Sequence, residues 1–388
     1  MPSFTAIFEP ETTNASVFDT VVSPTIEKVL DGNTCNFFAY GHSGSGKTHT
    51  VIGYDYEHDE HLGLCLATAR KLFAALAEIN GTVEDDMEKL KIGLRIFEIR
   101  KKSAFDLMNG KLECHIRESD GKVHVRGETE MLDGGKVRVQ PIVTRACGSY
   151  DDFRDRMLEG LKMRASGTST VHDESSRTHA VLEMEIVNQT LLSAWEAVVA
   201  RHSELVPIGA RATDVYIEES MASLIKTEDG KYIQNPDRPI DQARIDAAEA
   251  EKAVYEARLA EAEGKAAELV SQSRQHRCLG GKFVFVDLAG SEYYDQNSNS
   301  TQAIKQTPQE KVEGRQINSD LFALKEVIRA RSLGQSRIPY RSSPLTMVLR
   351  EHFEGQGSSA MILTAASDED QMRATENTLK YGGLVGSK

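Results

Sequence analysis

The octapeptide at residues 41–48 constrains the fold more than any other stretch of the sequence. It reads Gly41-His42-Ser43-Gly44-Ser45-Gly46-Lys47-Thr48 and matches G-x-x-x-x-G-K-(S/T) at every fixed position. The apolar run at residues 35–40 predicts a buried strand before it, and residues 49–52 can continue a helix after it. A strand, a glycine-rich loop and a helix in this order are the context in which the motif binds phosphate.

The residue types in this loop predict a particular chemistry. Its backbone N–H groups can turn inward toward phosphate oxygens, assisted by the N-terminus of the helix that follows. Lys47 is expected to reach the outer phosphates, and Thr48 to place its hydroxyl on Mg²⁺. The alternative is a glycine-rich turn that binds nothing, and the lysine and threonine together argue against it.

The composition is that of a globular protein from a reducing compartment. A chain of 388 residues, 40% of them hydrophobic, can form one large α/β domain or two smaller ones. No stretch approaches the apolar length of a membrane span, and the N-terminus lacks a signal peptide's pattern. The five cysteines are scattered without a C-x-x-C pair, which favours buried thiols over metal ligands or disulfides. The net charge of −13 disfavours a nucleic-acid binder.

Residues 282–290 are the second strong signal. The run from Lys282 to Val286 is β-branched and aromatic, which predicts a strand covered on both faces, and it ends in Asp287 with Gly290 three places on. In phosphate-loop enzymes such an aspartate lies opposite the loop and holds Mg²⁺ through water, while the glycine N–H senses the γ-phosphate. The alternative is an aspartate that merely ends a strand.

Two further segments are ordinary by themselves. Residues 175–179 form a polar loop before an apolar strand. Outside a phosphate-loop protein, such a loop is interpreted as a solvated loop.

Residues 316–329 carry an apolar helix stripe, and a basic cluster begins within it. The cluster comprises Lys325, Arg329, Arg331, Arg337, Arg341 and Arg350. On an acidic chain it is a candidate interaction face, and a solvated positive face is the alternative.

The composition changes between residues 189 and 280. Residues 241–277 are rich in alanine and glutamate, which predicts a long solvated helix or half of a coiled coil. Because its apolar positions are mostly alanine, we expect no catalytic role for it. We interpret residues 189–280 as a helical insertion between two strands, through which the chain can self-associate.

Taken together, these motifs resemble those of the kinesin motor domain. The phosphate loop and its flanks resemble the family's loop, residues 175–179 its first switch, and residues 287–292 its second switch. Residues 313–324 resemble the long helix at the filament interface, and residues 338–350 and 378–381 the closing motifs. Their order and spacing cover nearly the whole chain outside the insertion.

The resemblance implies a fold, a site and a partner. It implies an α/β P-loop NTPase fold over residues 1–388, with a central, mostly parallel sheet flanked by helices. ATP and Mg²⁺ are the implied cofactors, with Ser176 joining Thr48 and Asp287 at the metal and His49 near the adenine. Arg177 and Glu292 are implied to form an ion pair that closes the two switches. The implied catalytic set is Lys47, Ser176, Arg177, Asp287, Gly290 and Glu292.

The same resemblance implies a microtubule-stimulated ATPase in the cytoplasm, on the cytoskeleton. The implied partner is the microtubule, met through Lys325, Arg329, Arg331, Arg337 and Arg341. Residues 324–330 and 376–379 are similar to the internal-motor kinesins that depolymerise microtubules, so both movement and depolymerisation are retained as hypotheses.

Some positions depart from the family pattern. Kinesins usually carry asparagine where His172 stands and lysine where Ser319 stands, and the family's early strand with its adenine contacts is missing. These departures predict a fragment or a divergent member, and they favour one alternative: a catalytically weak microtubule-binding or scaffold protein. A GTPase-like switch is a further alternative, but no asparagine is followed by lysine, so the guanine motif N-K-x-D is absent and ATP is preferred.

Overall fold

The computed structural model describes residues 4–119, 121–133, 136–164, 177–227, 229–272, 277–291, 308–354 and 357–386. The strands within these ranges are β1 (Thr34–Tyr40), β2 (Lys91–Arg100), β3 (Ser103–Asp106), β4 (Leu112–Ser119), β5 (Lys122–Gly127), β6 (Glu130–Met131), β7 (Val137–Arg138), β8 (Arg145–Cys147), β9 (His179–Val187), β10 (Leu224–Lys226), β11 (Tyr232–Gln234), β12 (Lys282–Asp287) and β13 (Ser358–Leu363). The α-helices are α1 (Asn14–Val21), α2 (Ile26–Leu30), α3 (Lys47–Val51), α4 (Leu64–Asn80), α5 (Tyr150–Arg164), α6 (Gln189–Ala222), α7 (Gln242–Gln272), α8 (Pro308–Ser332), α9 (Pro344–Val348), α10 (Arg350–Phe353) and α11 (Met372–Gly386).

A nine-stranded mixed sheet forms the centre of the fold. Eight strands follow the order β13-β1-β12-β9-β2-β3-β4-β5, and β8 also pairs with β2. The strand β1 lies between β12 and β13 and is parallel to both, whereas the ladders from β12 onward to β5 are antiparallel. Helices α4 and α5 pack on β2, and α11 packs on β13. The predicted α/β fold of a P-loop NTPase is therefore confirmed.

The pairing of β1 decides where the site lies. Its residues from Cys35 to Tyr40 are all buried, and Phe37 stacks on Phe285 of β12 with ring centroids 5.2 Å apart. The register sets Ala39 beside Asp287 and Tyr40 beside Leu363. The carboxyl ends of three parallel strands thus meet at one edge, which is where ligands bind in open α/β sheets.

Residues 14–30 form two α-helices and not one continuous helix. Helix α1 comes first, a 3₁₀ turn covers Ser23–Thr25, and α2 follows. Pro24 lies in that turn, and because proline lacks a backbone N–H and its ring clashes with the preceding turn, it disfavours a continuous α-helix there.

The chain divides into two compact units. One unit comprises residues 1–127, 141–188 and 274–388, and it holds the nine-stranded sheet. The other comprises residues 128–140 and 189–273, with the antiparallel helices α6 and α7 and the hairpin β10–β11 between them. In this second unit the Val139 N–H donates to Ser203 Oγ at 3.0 Å, so residues 128–140 attach to α6. Sequence patterns did not indicate this attachment.

The five cysteines are all buried and unpaired, as predicted; each lies within the described part of the chain. No described helix combines the length and apolar character needed to cross a membrane.

Candidate nucleotide site

The predicted phosphate loop connects β1 to α3. Gly46, the last residue before α3, has φ 95°, a backbone conformation that L side chains rarely adopt. Helix α3 begins at Lys47, so the backbone N–H groups of its first turn have no acceptor within the helix. This strand–loop–helix arrangement is the one the sequence predicted.

Lys47 lies inside the loop. Its side chain is buried, and Nζ donates to the carbonyl oxygens of Gly41 at 3.1 Å and His42 at 2.8 Å. Burial lowers the pKa of Lys47 to about 8; Asp287 opposes this shift and Arg164 adds to it. Phosphate oxygens carry full charge and are stronger acceptors than carbonyl oxygens, so an anion at this loop would favour the protonated amine.

Asp287 accepts two hydrogen bonds on one oxygen. Thr48 Oγ1 donates to Asp287 Oδ2 at 2.8 Å, and Arg164 Nη1 donates to the same oxygen at 2.6 Å. Asp287 Oδ1 is buried and has no hydrogen-bond partner among the residues that the structure describes. A buried carboxylate oxygen beside a threonine hydroxyl offers the hard oxygen donors that Mg²⁺ prefers, so these residues fit the implied metal.

Arg164 is a site residue that the sequence analysis missed. It ends α5, is only 4% exposed, and donates from Nη2 to the Thr178 carbonyl at 3.1 Å as well as to Asp287. It therefore ties the end of β12 to the residue that precedes β9. A basic residue in the last turn of a helix is ordinary because it complements the helix dipole, so its type and position gave no distinct signal.

The segment after β12 runs along the phosphate loop. Ser291 N donates to the Gly41 carbonyl at 3.1 Å, and a Cβ added to Gly290 would lie 2.8 Å from Ser43 N. A side chain at position 290 would therefore force the segment away from the loop. The Gly290 backbone therefore lies against the loop, and the contact of its N–H with a γ-phosphate stays a prediction.

One histidine connects this segment to α8. Ala289 N donates to His179 Nδ1 at 3.0 Å, and His179 Nε2 lies 3.8 Å from Asp320 Oδ2 on α8. Both side chains are buried. Movement of the segment at residues 287–291 would therefore change the contact between His179 and Asp320 on α8.

Arg177 pairs with a carboxylate that the sequence analysis did not consider. Its Nη1 lies 3.6 Å from Glu313 Oε2, and Glu313 Oε1 lies 3.2 Å from both Arg100 Nη2 and Lys101 Nζ. Burial alone would raise the pKa of Glu313, but hydrogen bonds from Lys101 and Arg100 outweigh it and the pKa is lowered. Glu292, the predicted partner of Arg177, lies outside the described residues, as do Ser176 and His172. The Arg177–Glu292 pair stays a prediction.

His49 lies on α3 beside an exposed aromatic ring. Asn14 Nδ2 donates to the His49 carbonyl at 3.1 Å, and the His49 and Tyr54 rings are 5.8 Å apart. Its expected place near an adenine stays a prediction.

The basic cluster is not uniform. Arg341 and Arg350 both pair with Glu118, at 2.6 and 3.2 Å, and Lys325 Nζ lies 3.7 Å from Glu326 Oε1. The remaining three members are Arg329, Arg331 and Arg337. Arg331 lies over the Phe353 ring at 5.8 Å, and Arg329 and Arg337 are exposed without an ion pair to any described residue. Within the basic cluster, these three are the members whose charge no described carboxylate offsets.

A P-loop fold with lysine, threonine and aspartate gathered at the strand ends defines a phosphate-loop nucleotide-binding protein. The kinesin motor domain family model matches residues 2–206 and 262–387, and the chain therefore belongs to the kinesin motor domain family. The match leaves out residues 207–261, which lie within the predicted insertion.

Individual relatives are distant. The chain is 25% identical to the kinesin-like protein KIN-14Q of Oryza sativa subsp. japonica and 24% identical to the kinesin-like protein KIF24 of Homo sapiens. These alignments cover 99% and 98% of this chain but span only 29% and 20% of the two relatives. A solved structure described as a fast kinesin superposes with a TM-score of 0.59 at 20% identity, over 99% of this chain and 79% of that one. This last similarity shows the shared fold.

Proposed function

We propose that this chain binds Mg²⁺–ATP at the phosphate loop and hydrolyses it, and that microtubules stimulate the reaction. One observation carries the proposal: Lys47, Thr48 and Asp287 converge at the carboxyl ends of β1 and β12, with the Thr48 hydroxyl 2.8 Å from Asp287. A turn that binds nothing has no reason to bury a lysine near an aspartate, because burying charge costs free energy and such groups cluster at functional sites.

The proposed chemistry needs positioning more than a strong base. Phosphoryl transfer depends mainly on alignment and on stabilising charge at the transferred group. Lys47 would hold the outer phosphates, and the Gly290 N–H would contact the γ-phosphate. Bound Mg²⁺ would supply charge neutralisation, held by Thr48 and Ser176 and, through water, by Asp287. Arg177 and Glu292 would close the site around ATP, and the closed site would position the water that attacks the γ-phosphate.

Coupling to a filament would pass through α8. Contact of Gly290 with a γ-phosphate would fix the segment at residues 287–291, and its loss would release that segment. The contacts from Ala289 through His179 to Asp320 would carry the change to α8. Because Arg329 and Arg331 lie at the last turn of α8, the change would reach the proposed microtubule-binding cations.

The microtubule-binding face would use Arg329, Arg331 and Arg337, assisted by Lys325 and Arg341. Such binding would place the protein in the cytoplasm on the microtubule cytoskeleton, and ATP turnover would drive movement along microtubules or their depolymerisation. Self-association through α7, as half of a coiled coil, would rest on Val254 and Val270, the large apolar side chains exposed among its described residues.

Steady-state ATP turnover with and without microtubules, in Mg²⁺ and in EDTA, tests the proposal. Turnover should require Mg²⁺ and should rise with microtubule concentration. A scaffold that binds microtubules without turnover is the competing function. It is favoured by Ser319, which is exposed on α8 where the family usually has lysine. Microtubule binding by a chain that does not hydrolyse ATP would favour the scaffold, and turnover indifferent to microtubules would contradict both.

A further inference from the structure

Exposed apolar side chains are concentrated at the end of the α6–α7 pair. Of the 21 large hydrophobic side chains exposed in the described part of the chain, eight fall within residues 216–240. They are Tyr216, Ile217, Met221, Leu224, Ile225, Tyr232, Ile233 and Ile240. Scattered exposed apolar residues are normal, but a concentration of this kind marks an interaction surface.

The hairpin β10–β11 is an incomplete sheet. It has two strands of three residues, and all six residues are exposed. Neither outer edge pairs with another described strand. A lone two-stranded hairpin is marginally stable in water and gains stability from a further strand.

The register shows which backbone groups face outward. Asn235 N donates to the Ser223 carbonyl at 2.7 Å, and Thr227 N donates to the Lys231 carbonyl at 2.8 Å. Hydrogen-bonded and non-hydrogen-bonded pairs alternate in an antiparallel ladder, so the pair Ile225–Ile233 between them is a hydrogen-bonded one. The backbone N–H and C=O groups of residues 224 and 226 therefore point outward from β10, and those of residues 232 and 234 point outward from β11.

The charge around the hairpin selects a partner. Residues 214–246 hold eight acidic and four basic residues, a net charge of −4, and residues 189–273 hold 16 acidic and nine basic residues, a net charge of −7. An acidic filament, a nucleic acid or the same hairpin of a second copy would be repelled at this edge. A basic segment would be attracted.

The residues of the two strands differ in charge, because β10 contains Lys226 and β11 contains no charged residue. A strand added beside β10 would lie against Lys226, and like charges on neighbouring strands are destabilising. A strand added beside β11 would meet Tyr232 and Gln234 instead, and Tyr232 is 67% exposed. The Tyr232 ring can hold a cation on its face.

We propose that the outer edge of β11 binds a basic, strand-forming segment of another protein by β-strand addition. Its residue opposite Ile233 would be β-branched and would extend the apolar face formed by Ile225 and Ile233. Its residues opposite Tyr232 and Gln234 would be lysine or arginine, on the face that carries the Tyr232 ring. Main-chain hydrogen bonds supply affinity in this mode, and the alternating side chains supply specificity. Because residues 207–261 lie outside the family match, this site adds a function to the proposed ATPase and does not depend on it.

Binding of two synthetic peptides to the whole chain tests the proposal. The probes are capped Lys-Val-Lys-Val-Lys-Val-Lys and capped Glu-Val-Glu-Val-Glu-Val-Glu, measured by fluorescence anisotropy, with hydrogen exchange at residues 232–234. The basic peptide should bind at least about tenfold more tightly than the acidic one, and should slow exchange of the Tyr232 and Gln234 amides.

Gln234→Pro and Leu224→Pro are matched variants. Each removes one outward N–H from one edge of the hairpin and changes no charge. Gln234→Pro should weaken binding of the basic peptide at least about tenfold, and Leu224→Pro should leave it nearly unchanged. Asp229→Lys with Asp237→Lys leaves the backbone intact and should weaken binding without disturbing the hairpin, which keeps the test valid if a proline unfolds it.

Any of three peptide-binding outcomes would overturn the proposal. The first is equal binding of the two peptides. The second is an equal loss of peptide affinity in the two proline variants while the Asp229→Lys, Asp237→Lys chain binds as tightly as the parent. The third is no binding of the basic peptide at millimolar concentration. Concentration-dependent dimerisation lost in Gln234→Pro, with no peptide binding, would assign the edge to a second copy and would also overturn it.

Discussion

The Thr48 hydroxyl donates a 2.8 Å hydrogen bond to Asp287 Oδ2, joining two positions 239 residues apart in the sequence. The parallel register of β1 and β12 produces this contact, because Ala39 and Asp287 are aligned at the ends of neighbouring strands. The same oxygen accepts from Arg164 at 2.6 Å, so one buried carboxylate connects the phosphate loop, β12 and the end of α5.

Lys47→Ala should reduce ATP turnover by about 100-fold or more, since the outer phosphates lose the cation that lies inside the loop. Lys265→Ala is the matched control, because Lys265 is an exposed lysine on α7. It should turn over ATP like the parent. A Lys47→Ala chain as active as its parent would show that the loop is not the phosphate site.

The lowered pKa of Lys47 predicts opposite effects of pH on nucleotide affinity and on stability. Above a pKa of about 8 the folded chain loses this charge, so the affinity for ATP should fall about tenfold for each further pH unit. The unfolded chain keeps the proton up to the ordinary value of 10.5, so between about 8 and 10.5 it binds more protons than the folded chain. The Lys47 contribution to the free energy of unfolding therefore rises with pH in that window.

Fluorescent-nucleotide titration and urea unfolding between pH 7 and 9.5 measure both effects. Lys47→Arg is the comparison, because arginine keeps its charge throughout. An affinity loss of the same size in Lys47→Arg would assign the pH dependence to another group.

Arg177 should show non-additive effects with two carboxylates. With Glu292 the non-additivity should appear in ATP hydrolysis, and with Glu313 it should appear in the free energy of unfolding. If Arg177 and Glu292 close the site together, Arg177→Ala and Glu292→Ala should each slow hydrolysis, and the double variant should be little worse than either. Arg177→Ala and Glu313→Ala should show their non-additivity in the free energy of unfolding, because the structure pairs these two at 3.6 Å. Additive losses of turnover in the first cycle would show that Arg177 and Glu292 do not act as a unit.

The insertion should be removable. Ile186 N donates to the Gly281 carbonyl and Gly280 N to the Ile186 carbonyl, so β9 and β12 already close as a hairpin before the insertion begins. Replacing residues 193–276 by a short Gly/Ser loop should leave a folded chain that binds ATP, since surface-loop length has a small entropic cost. Circular dichroism and nucleotide binding check it, and a deletion chain that cannot bind ATP would place the segment in the site.

Residues 128–140 lose their attachment to α6 in this deletion, so they can be changed in a second deletion chain for comparison. Val137 and Val139 are buried, and the Val139 N–H loses its Ser203 acceptor when α6 is removed. A second deletion chain that also carries Val137→Ser and Val139→Thr should be less prone to aggregate, because it exposes less apolar surface.

The sequence predicted the parts of the site that are local in the chain. The phosphate loop, the strand that ends at Asp287 and the helix over residues 316–329 each have a motif or a periodicity, and the structure contains each of them. The pairings that Arg164, Glu313 and Glu118 make were not found, because each joins partners more than 100 residues apart and no local pattern indicates it. Long-range pairing of charges depends on the sheet order, which local patterns do not determine.

The proposed microtubule-binding face acts against the net charge of the chain. The chain carries −13 overall, so attraction to an acidic tubulin surface must come from local cations acting within a Debye length, about 8 Å at physiological salt. Glu118 offsets Arg341 and Arg350, whereas no described carboxylate pairs with Arg329 or Arg337. Reversing Arg329, Arg331 and Arg337 to glutamate should therefore weaken microtubule binding by at least about tenfold and leave basal ATP turnover nearly unchanged.

Arg341→Glu is the matched charge reversal at a member of the cluster whose charge Glu118 already offsets. It should weaken binding less than any one of the three other reversals, because the parent side chain is already paired with Glu118 at 2.6 Å. Co-sedimentation across a salt series measures all of these chains. Parent affinity should fall as salt rises, and the triple variant should lose most of that dependence because its screened contacts are gone. Binding that ignores both salt and the triple reversal would mean that another face meets the microtubule.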